Sequence, residues 1–227
     1  MNGIWLLFLL ILISALPLIP AWIWFRSLKL GSRWFLSSIA AGLLSVLAAV
    51  LVQSLFPSPR PGTSAGSPGP VLYGIFVRIA LIEELSRILT LRPLIGVYGR
   101  KIGKAKEDGP GAEDNFAASA MGLAAGLGFA VVESALYTAA SPGIALLRAF
   151  TAAPLHGACG ARVGASVGIA RSRPLHSAVL FVTAVLLHGM YDFFIIYPGI
   201  PSFLSVIIAL SALGSSVLSL RNERKSS

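Results

Sequence analysis

Residues 3–25 read GIWLLFLLILISALPLIPAWIWF, and this stretch contains no charged side chain. A transmembrane helix needs about 20 predominantly apolar residues, so this run is long enough to cross a bilayer. No positively charged segment precedes it, and its nearest basic residue, Arg26, follows it. We therefore expect a retained membrane span with its N-terminus outside, and not a cleaved signal peptide.

Six further apolar runs of similar length follow along the chain. The seven predicted spans cover residues 3–25, 34–56, 71–91, 116–140, 144–170, 175–197 and 202–220. Overall, 56% of the residues are hydrophobic and only 12% are charged, against about 25% charged in soluble domains. We predict an all-α fold, a polytopic transmembrane helical bundle of about seven spans. Residues 1–227 form a single integral membrane domain, with flexible loops at 57–70 and 92–115.

The formal net charge of +9 is also compatible with nucleic-acid binding. However, the basic residues lie at the ends of apolar runs without interleaved aromatic residues, so we predict no nucleic-acid partner. The loops after spans one, three and five and the C-terminal tail hold thirteen Lys and Arg residues, whereas the other three loops hold only Arg60. Cytoplasmic loops carry such an excess. This pattern predicts that the N-terminus is outside and the C-terminus inside.

Several ionisable residues lie within the predicted spans, where a charged side chain costs about 2.5 to 3.5 kcal/mol on insertion scales and usually marks a functional site. Measured at about 1.5 Å per residue from the span ends, they lie between the midplane and the outer face. Helices three to six can therefore bring them to one level in a pocket. The residues are Glu83, Glu84, Glu133, His156, His188 and Asp192.

Spacing within single helices predicts two local pairings. Arg87 follows Glu84 by three residues and Glu83 by four, so its guanidinium can orient either carboxylate. His188 and Asp192 are four residues apart and share a helix face, a relation in which a carboxylate fixes the tautomer of an imidazole.

Carboxylates and histidines in a dry pocket serve two kinds of chemistry, and the residues alone leave both open. One is the activation of water by a general base, with or without a metal ion. The other is proton or ion transport. A third interpretation is a buried polar network that holds the bundle together. In that case four intramembrane arginines would balance the four carboxylates, namely Arg78, Arg87, Arg148 and Arg162.

Four motifs in order resemble those of the PrsW family of intramembrane peptidases. They are Glu83-Glu84-Leu85-Ser86-Arg87, Phe129-Ala130-Val131-Val132-Glu133, His156 and His188-Gly189-Met190-Tyr191-Asp192. The family shows Glu-Glu-x-x-Lys, then Phe-x-x-x-Glu, then one histidine on each of two later helices, the last with an acidic partner four residues on.

Two positions separate this chain from related patterns. Arg87 stands where the PrsW family has lysine, which suggests an orienting cation and not a proton donor. The related CAAX prenyl endopeptidases have Glu-Glu-x-x-x-Arg and Phe-x-x-x-His. This chain has Ile88 and Glu133 at those points.

The resemblance implies an intramembrane endopeptidase in a bacterial inner membrane that cleaves a single-pass protein such as an anti-sigma factor at its outer side. Its catalytic core would lie at about 71–197, predicted helices three to six. A proton- or ion-coupled transporter and a CAAX-type prenyl endopeptidase are the alternatives.

The resemblance also implies roles for the polar residues of the spans. One of Glu83 and Glu84 would activate water, Glu133 and His156 would bind the water or a metal ion, and His188 with Asp192 would complete the site. A zinc site would take its ligands from Glu133, His156 and His188. A glutamate-and-histidine site would need no metal, and the sequence leaves both forms open.

Overall fold

The computed structural model describes residues 3–56, 68–103, 112–137 and 141–225, and all regular secondary structure within these ranges is helical. The predicted all-α class is thereby confirmed. The elements are α1 (Gly3–Ala15), α2 (Leu18–Ser27), α3 (Ser32–Ser54), α4 (Pro68–Leu72), a π-helix (Tyr73–Leu81), α5 (Ile82–Gly103), α6 (Ala112–Tyr137), α7 (Pro142–Phe150), α8 (Ala152–Ile169), α9 (Pro174–Ile196) and α10 (Phe203–Lys225).

Each predicted span coincides with one helix or with consecutive helical pieces. The first is interrupted at Pro17, which has no backbone N–H to donate. The fifth is interrupted at Thr151, whose φ of −120° and ψ of −62° are not helical. The third consists of α4, the π-helix and α5.

Five helical segments within the described residues are long and apolar enough to cross a membrane. They are Ile4–Ser27, Ser32–Ser54, Asn115–Leu136, Pro174–Ile196 and Phe203–Arg221. The predicted spans at 71–91 and 144–170 are not among them; both carry ionisable residues, which lower their mean hydropathy. The exact number of spans and the orientation stay predictions.

The boundaries of the predicted loop at 92–115 differ from the structure. Helix α5 continues through Pro93 to Gly103, and α6 begins at Ala112. Hydropathy indicates where a helix leaves the apolar core of the membrane, not where it stops being helical, so a polar extension of α5 was not predicted. Residues 57–67 and 104–111 lie outside the described residues, and the flexibility of both loops therefore stays a prediction.

Helix α6 lies at the centre of the bundle and packs mainly against α8 and α3. Glycines bring the backbones of α6 and α8 into contact. A Cβ on Gly122 would lie 2.1 Å from the carbonyl oxygen of Gly160, and one on Gly126 would lie 1.9 Å from the carbonyl oxygen of His156. Close approach through small residues is typical of membrane helices. Here it fixes the position of His156 against α6.

Large apolar side chains point outward on the outer helices. Trp5, Leu51, Val182 and Leu210 are each more than half exposed, and they belong to four different helices. Soluble monomers rarely expose apolar surface on this scale. These faces are suited to contact with lipid.

Candidate active site

The structure brings the six predicted ionisable residues and Arg87 together from four helices. Helix α5 supplies the Glu-Glu pair and the arginine near its start, α6 supplies one glutamate, α8 one histidine, and α9 a histidine and an aspartate. The nine-residue π-helix that precedes α5 packs on α9. Gly189 permits this contact, since a Cβ there would lie 2.4 Å from Cδ1 of Phe76. π-Helices are rare and occur frequently at functional sites.

Glu84 is fully buried, and both of its carboxylate oxygens are engaged. Oε2 forms an ion pair with Arg87 on the same helix, and Oε1 lies 2.8 Å from Nδ1 of His188 on α9. The guanidinium of Arg87 also stacks 4.6 Å above the ring of Phe129, and its Nη2 lies 3.4 Å from Nδ1 of His156. Glu84 and Arg87 therefore connect α5 to both histidines.

Glu83 is also buried but is poorly satisfied. Its Oε1 accepts a hydrogen bond of 3.4 Å from Nε2 of Gln53 on α3. Its Oε2 is buried and finds no hydrogen-bond partner among the described residues, and it lies 3.6 Å from Nε2 of His188. A buried carboxylate oxygen without a partner is costly, so this atom is available to a proton or a cation.

Glu133 is held by a residue that the motifs do not include. Its Oε2 accepts a hydrogen bond of 2.6 Å from Nη2 of Arg148 and lies 2.8 Å from Nε2 of His156. Arg148 lies on α7 and also donates from Nε to the hydroxyl of Ser134 at 3.2 Å. The arginine is fifteen residues from Glu133, so no helical spacing relates the two. Its position in a predicted span was the only signal that could have singled it out.

The predicted pairing of Asp192 with His188 is present as an ion-pair contact, but it is not the only contact that the imidazole makes. Glu84 from α5 contacts Nδ1, and that Asp192 fixes the tautomer of the imidazole, as the four-residue spacing predicted, stays a prediction. Oδ2 of Asp192 lies 3.5 Å from the other ring nitrogen, Nε2. Cross-helix packing therefore decides the partner of Nδ1, and spacing along α9 does not.

The two histidines face each other at the centre of the site. Their ring centroids are 4.8 Å apart and the rings are nearly perpendicular, at 85°. Both side chains are buried, whereas the side chains of Glu133 and Asp192 are 12% and 19% exposed. The site therefore lies closest to the surface of the bundle at these two carboxylates.

Three of the residues could hold a metal ion. Glu83, His156 and His188 each offer one ligand atom, and these atoms lie within 4.8 Å of one another. The predicted metal ligands were Glu133, His156 and His188, whereas the group in the structure contains Glu83 in place of Glu133. One carboxylate and two imidazoles form a donor set of the kind found in catalytic zinc sites.

The formal charges of the site also suit a divalent cation. Four carboxylates meet there, and two arginines, Arg87 and Arg148, form ion pairs with them, so with neutral histidines two negative charges are left (4 − 2 = 2). Of the four arginines expected to balance the carboxylates, Arg162 does not take part. Arg162 instead donates to the hydroxyls of Ser215 and Ser216 on α10, at 2.7 and 2.6 Å.

The chain matches the family model described as PrsW family intramembrane metalloprotease over residues 31–215. No curated protein and no solved structure matches it. The matched range covers most of the chain and contains every residue of the site, in agreement with the resemblance that the motifs indicate. The chain therefore belongs to the PrsW family of intramembrane metalloproteases.

Proposed function

We propose that this protein hydrolyses a peptide bond in a single-pass membrane protein. In this proposal Glu83, His156 and His188 hold a divalent metal ion, and Glu133 is the base that activates water. The observation that carries the proposal is the convergence of these three ligands in a buried site. Membership of a metalloprotease family supports it.

Zinc is the metal that the donor set favours, because one carboxylate and two imidazoles with an open position is a common catalytic zinc site. The unpartnered Oε2 of Glu83 supports the fit, since a cation would satisfy it. When bound, such an ion acts as a Lewis acid on a peptide carbonyl.

The surrounding residues have positioning roles in this proposal. Glu84 accepts a hydrogen bond from Nδ1 of His188 and thereby directs Nε2 toward Glu83, at 3.6 Å. Carboxylates behind metal-binding histidines commonly fix the tautomer and ring orientation in this way. Arg87 neutralises Glu84 and orients it, as expected from their spacing.

Glu133 is the carboxylate best placed to act as general base. It lies beside His156, at 2.8 Å, and its side chain is partly exposed, so that water can reach it. It would accept a proton from the attacking water and pass it to the leaving amine, the two steps that peptide hydrolysis requires. Arg148 would keep the carboxylate in position. Asp192 would line the entrance along which the substrate backbone reaches the site.

The substrate proposal rests on the location of the site. The predicted topology places the site between the membrane midplane and the outer face, where a membrane-anchored segment can reach it. An anti-sigma factor of a bacterial inner membrane is the substrate that the family resemblance implies, with cleavage at its outer side. The family match supports neither a transporter nor a prenyl endopeptidase.

The two glutamate roles can be separated by measuring metal content and cleavage together. Glu83→Gln is expected to lose bound metal and activity, whereas Glu133→Gln is expected to keep the metal and lose activity. Metal is measured by elemental analysis of the purified protein, so this readout needs no substrate. Cleavage is followed on single-pass reporters with an unstructured segment at the outer face.

A histidine outside the site provides the matched control. His176→Gln, at the exposed start of α9, should keep both metal and activity, whereas His156→Gln and His188→Gln should lose both. Wild-type metal content in the Glu83, His156 and His188 variants would refute the ligand assignment. Wild-type cleavage by Glu133→Gln would refute its role as base.

A further inference from the structure

A cavity lies at the opposite end of α5 from the active site. It has a volume of about 270 Å³ and is formed by the α2–α3 connection and the end of α5. Helix α5 begins with the Glu-Glu pair of the active site, and Tyr98, which lines the cavity, follows Arg87 by eleven residues. At a rise of 1.5 Å per residue this separates the two by about 16 Å along the helix. The cavity is therefore distinct from the catalytic site.

The lining of this cavity is strongly basic. Lys29, Arg33 and Lys101 all contribute to it. The acidic side chains that the structure describes all belong to the active site, so none of them neutralises this cluster. Three like charges around one concave surface attract and concentrate anions.

Two aromatic residues form the remaining wall. The rings of Trp34 and Tyr98 meet edge to face with centroids 5.0 Å apart, and the guanidinium of Arg33 lies 5.2 Å above the ring of Trp34. Trp and Tyr beside basic side chains are typical of the membrane interface, at the level of the lipid headgroups. A site for free phosphate would not require this apolar wall. A lipid, in contrast, would contact both the basic residues and the aromatic wall.

The backbone around the cavity adds to this picture. Lys29 follows Leu28, the C-cap of α2, and has a φ of +59°, the left-handed conformation that commonly ends a helix. Gly31 is the N-cap of α3 and provides no capping side chain, so the positive end of a long helix dipole lies at the cavity. A topological role requires only basic residues in the loop. It does not require the aromatic pair or the shared cavity.

We infer that this cavity binds the phosphate headgroup of an anionic phospholipid. Lys29, Arg33 and Lys101 pair with the phosphate, and Trp34 and Tyr98 contact the glycerol region. The excess of basic residues on this side predicts that the lipid belongs to the cytoplasmic leaflet. The headgroup would connect the α2–α3 loop to the helix that carries Glu83 and Glu84.

Lipid retention by the purified full-length protein tests this inference. The protein in neutral detergent is incubated with equal amounts of phosphatidylglycerol and phosphatidylcholine, and bound lipid is counted by native mass spectrometry. The wild type should retain phosphatidylglycerol preferentially. Arg33→Gln and Lys101→Gln should each weaken retention about fivefold, and the triple variant with Lys29→Gln about 100-fold, if each basic residue contributes as it does near an anionic surface.

The matched control removes three exposed basic residues on the same predicted membrane side, none of which lines the cavity. The variant Arg171→Gln/Arg173→Gln/Arg221→Gln has the same change in net charge and should retain phosphatidylglycerol like the wild type. If the two triple variants lost lipid retention equally, or if the single variants lost none, the attraction would be diffuse and the proposed site would be overturned. Displacement of the lipid by equimolar inorganic phosphate would show a free-phosphate site and overturn the lipid assignment.

Discussion

Gly126→Ala is expected to inactivate the enzyme by displacing His156, although Gly126 carries no chemistry of its own. A Cβ at Gly126 would lie 1.9 Å from the carbonyl oxygen of His156, whereas ordinary contacts begin at 3.4 Å. The overlap is about 1.5 Å (3.4 − 1.9), and the obstructing atom is backbone, so α8 must move away from α6. A displacement of about 1 Å at a catalytic group can cost about 100-fold in rate.

The assay compares kcat/KM for reporter cleavage with metal content and with the thermal unfolding of the purified protein. We expect at least about 100-fold slower cleavage and reduced metal content, together with a loss of about 1 to 3 kcal/mol in stability from overpacking. Two control substitutions separate position from packing. Gly164→Ala creates a similar overlap, 2.1 Å from the carbonyl oxygen of Ala118, two turns further along α8. Gly96→Ala meets nothing within 4 Å.

Gly164→Ala should lose similar stability but much less activity, and Gly96→Ala should match the wild type in both. Two results would refute the reasoning. Wild-type activity in Gly126→Ala would show that His156 need not hold its position. An equal loss of activity in Gly164→Ala at equal stability would show that general packing of α8, and not the position of the histidine, is what matters.

Three further predictions concern Arg148, the metal ion and Arg162. Arg148→Gln should lower kcat about 100-fold or more while metal is retained, because Glu133 loses the donor at 2.6 Å that positions it. Arg148→Lys should restore part of the rate. An unchanged kcat in Arg148→Gln would contradict this role of the arginine. Incubation with a strong chelator, followed by its removal, should abolish cleavage, and added zinc should restore it; full activity of protein shown to be metal-free would contradict the metal proposal. Arg162→Leu should lower thermal stability through the lost bonds to Ser215 and Ser216 with metal content unchanged, so a loss of metal would show that the arginine also acts on the site.

The helical class and the approximate positions of the helices could be predicted because hydropathy reports burial in lipid directly. The same signal cannot locate breaks or extensions of helices. Pro154 indicates a break near Thr151 but not which residue ends α7, and the polar end of α5 up to Gly103 has no hydropathy signature. These features depend on local backbone bonding and on contacts outside the apolar core.

The sequence predicted which residues form the site better than it predicted the contacts between them. The cost of placing charge in a membrane singled out the six ionisable residues, and helical spacing correctly paired Glu84 with Arg87. Spacing failed for the contact between Glu84 and His188, 104 residues apart, and for the contact of Arg148 with Glu133. Both contacts join different helices, so they depend on how α5 packs on α9 and α7 on α6, which one-dimensional periodicity does not contain.

The cross-helix contacts also decide whether the polar residues serve structure or chemistry. If they existed to hold the bundle together, the intramembrane arginines should face the carboxylates and every buried carboxylate oxygen should be paired. Instead Arg162 bonds to hydroxyls on α10, and Oε2 of Glu83 has no hydrogen-bond partner among the described residues. The central helices associate through backbone contact at Gly122 and Gly126, a type of packing that requires no charges. The free-energy cost of burying Glu83 and Glu84 therefore agrees better with the proposed cation site than with a role in the stability of the bundle.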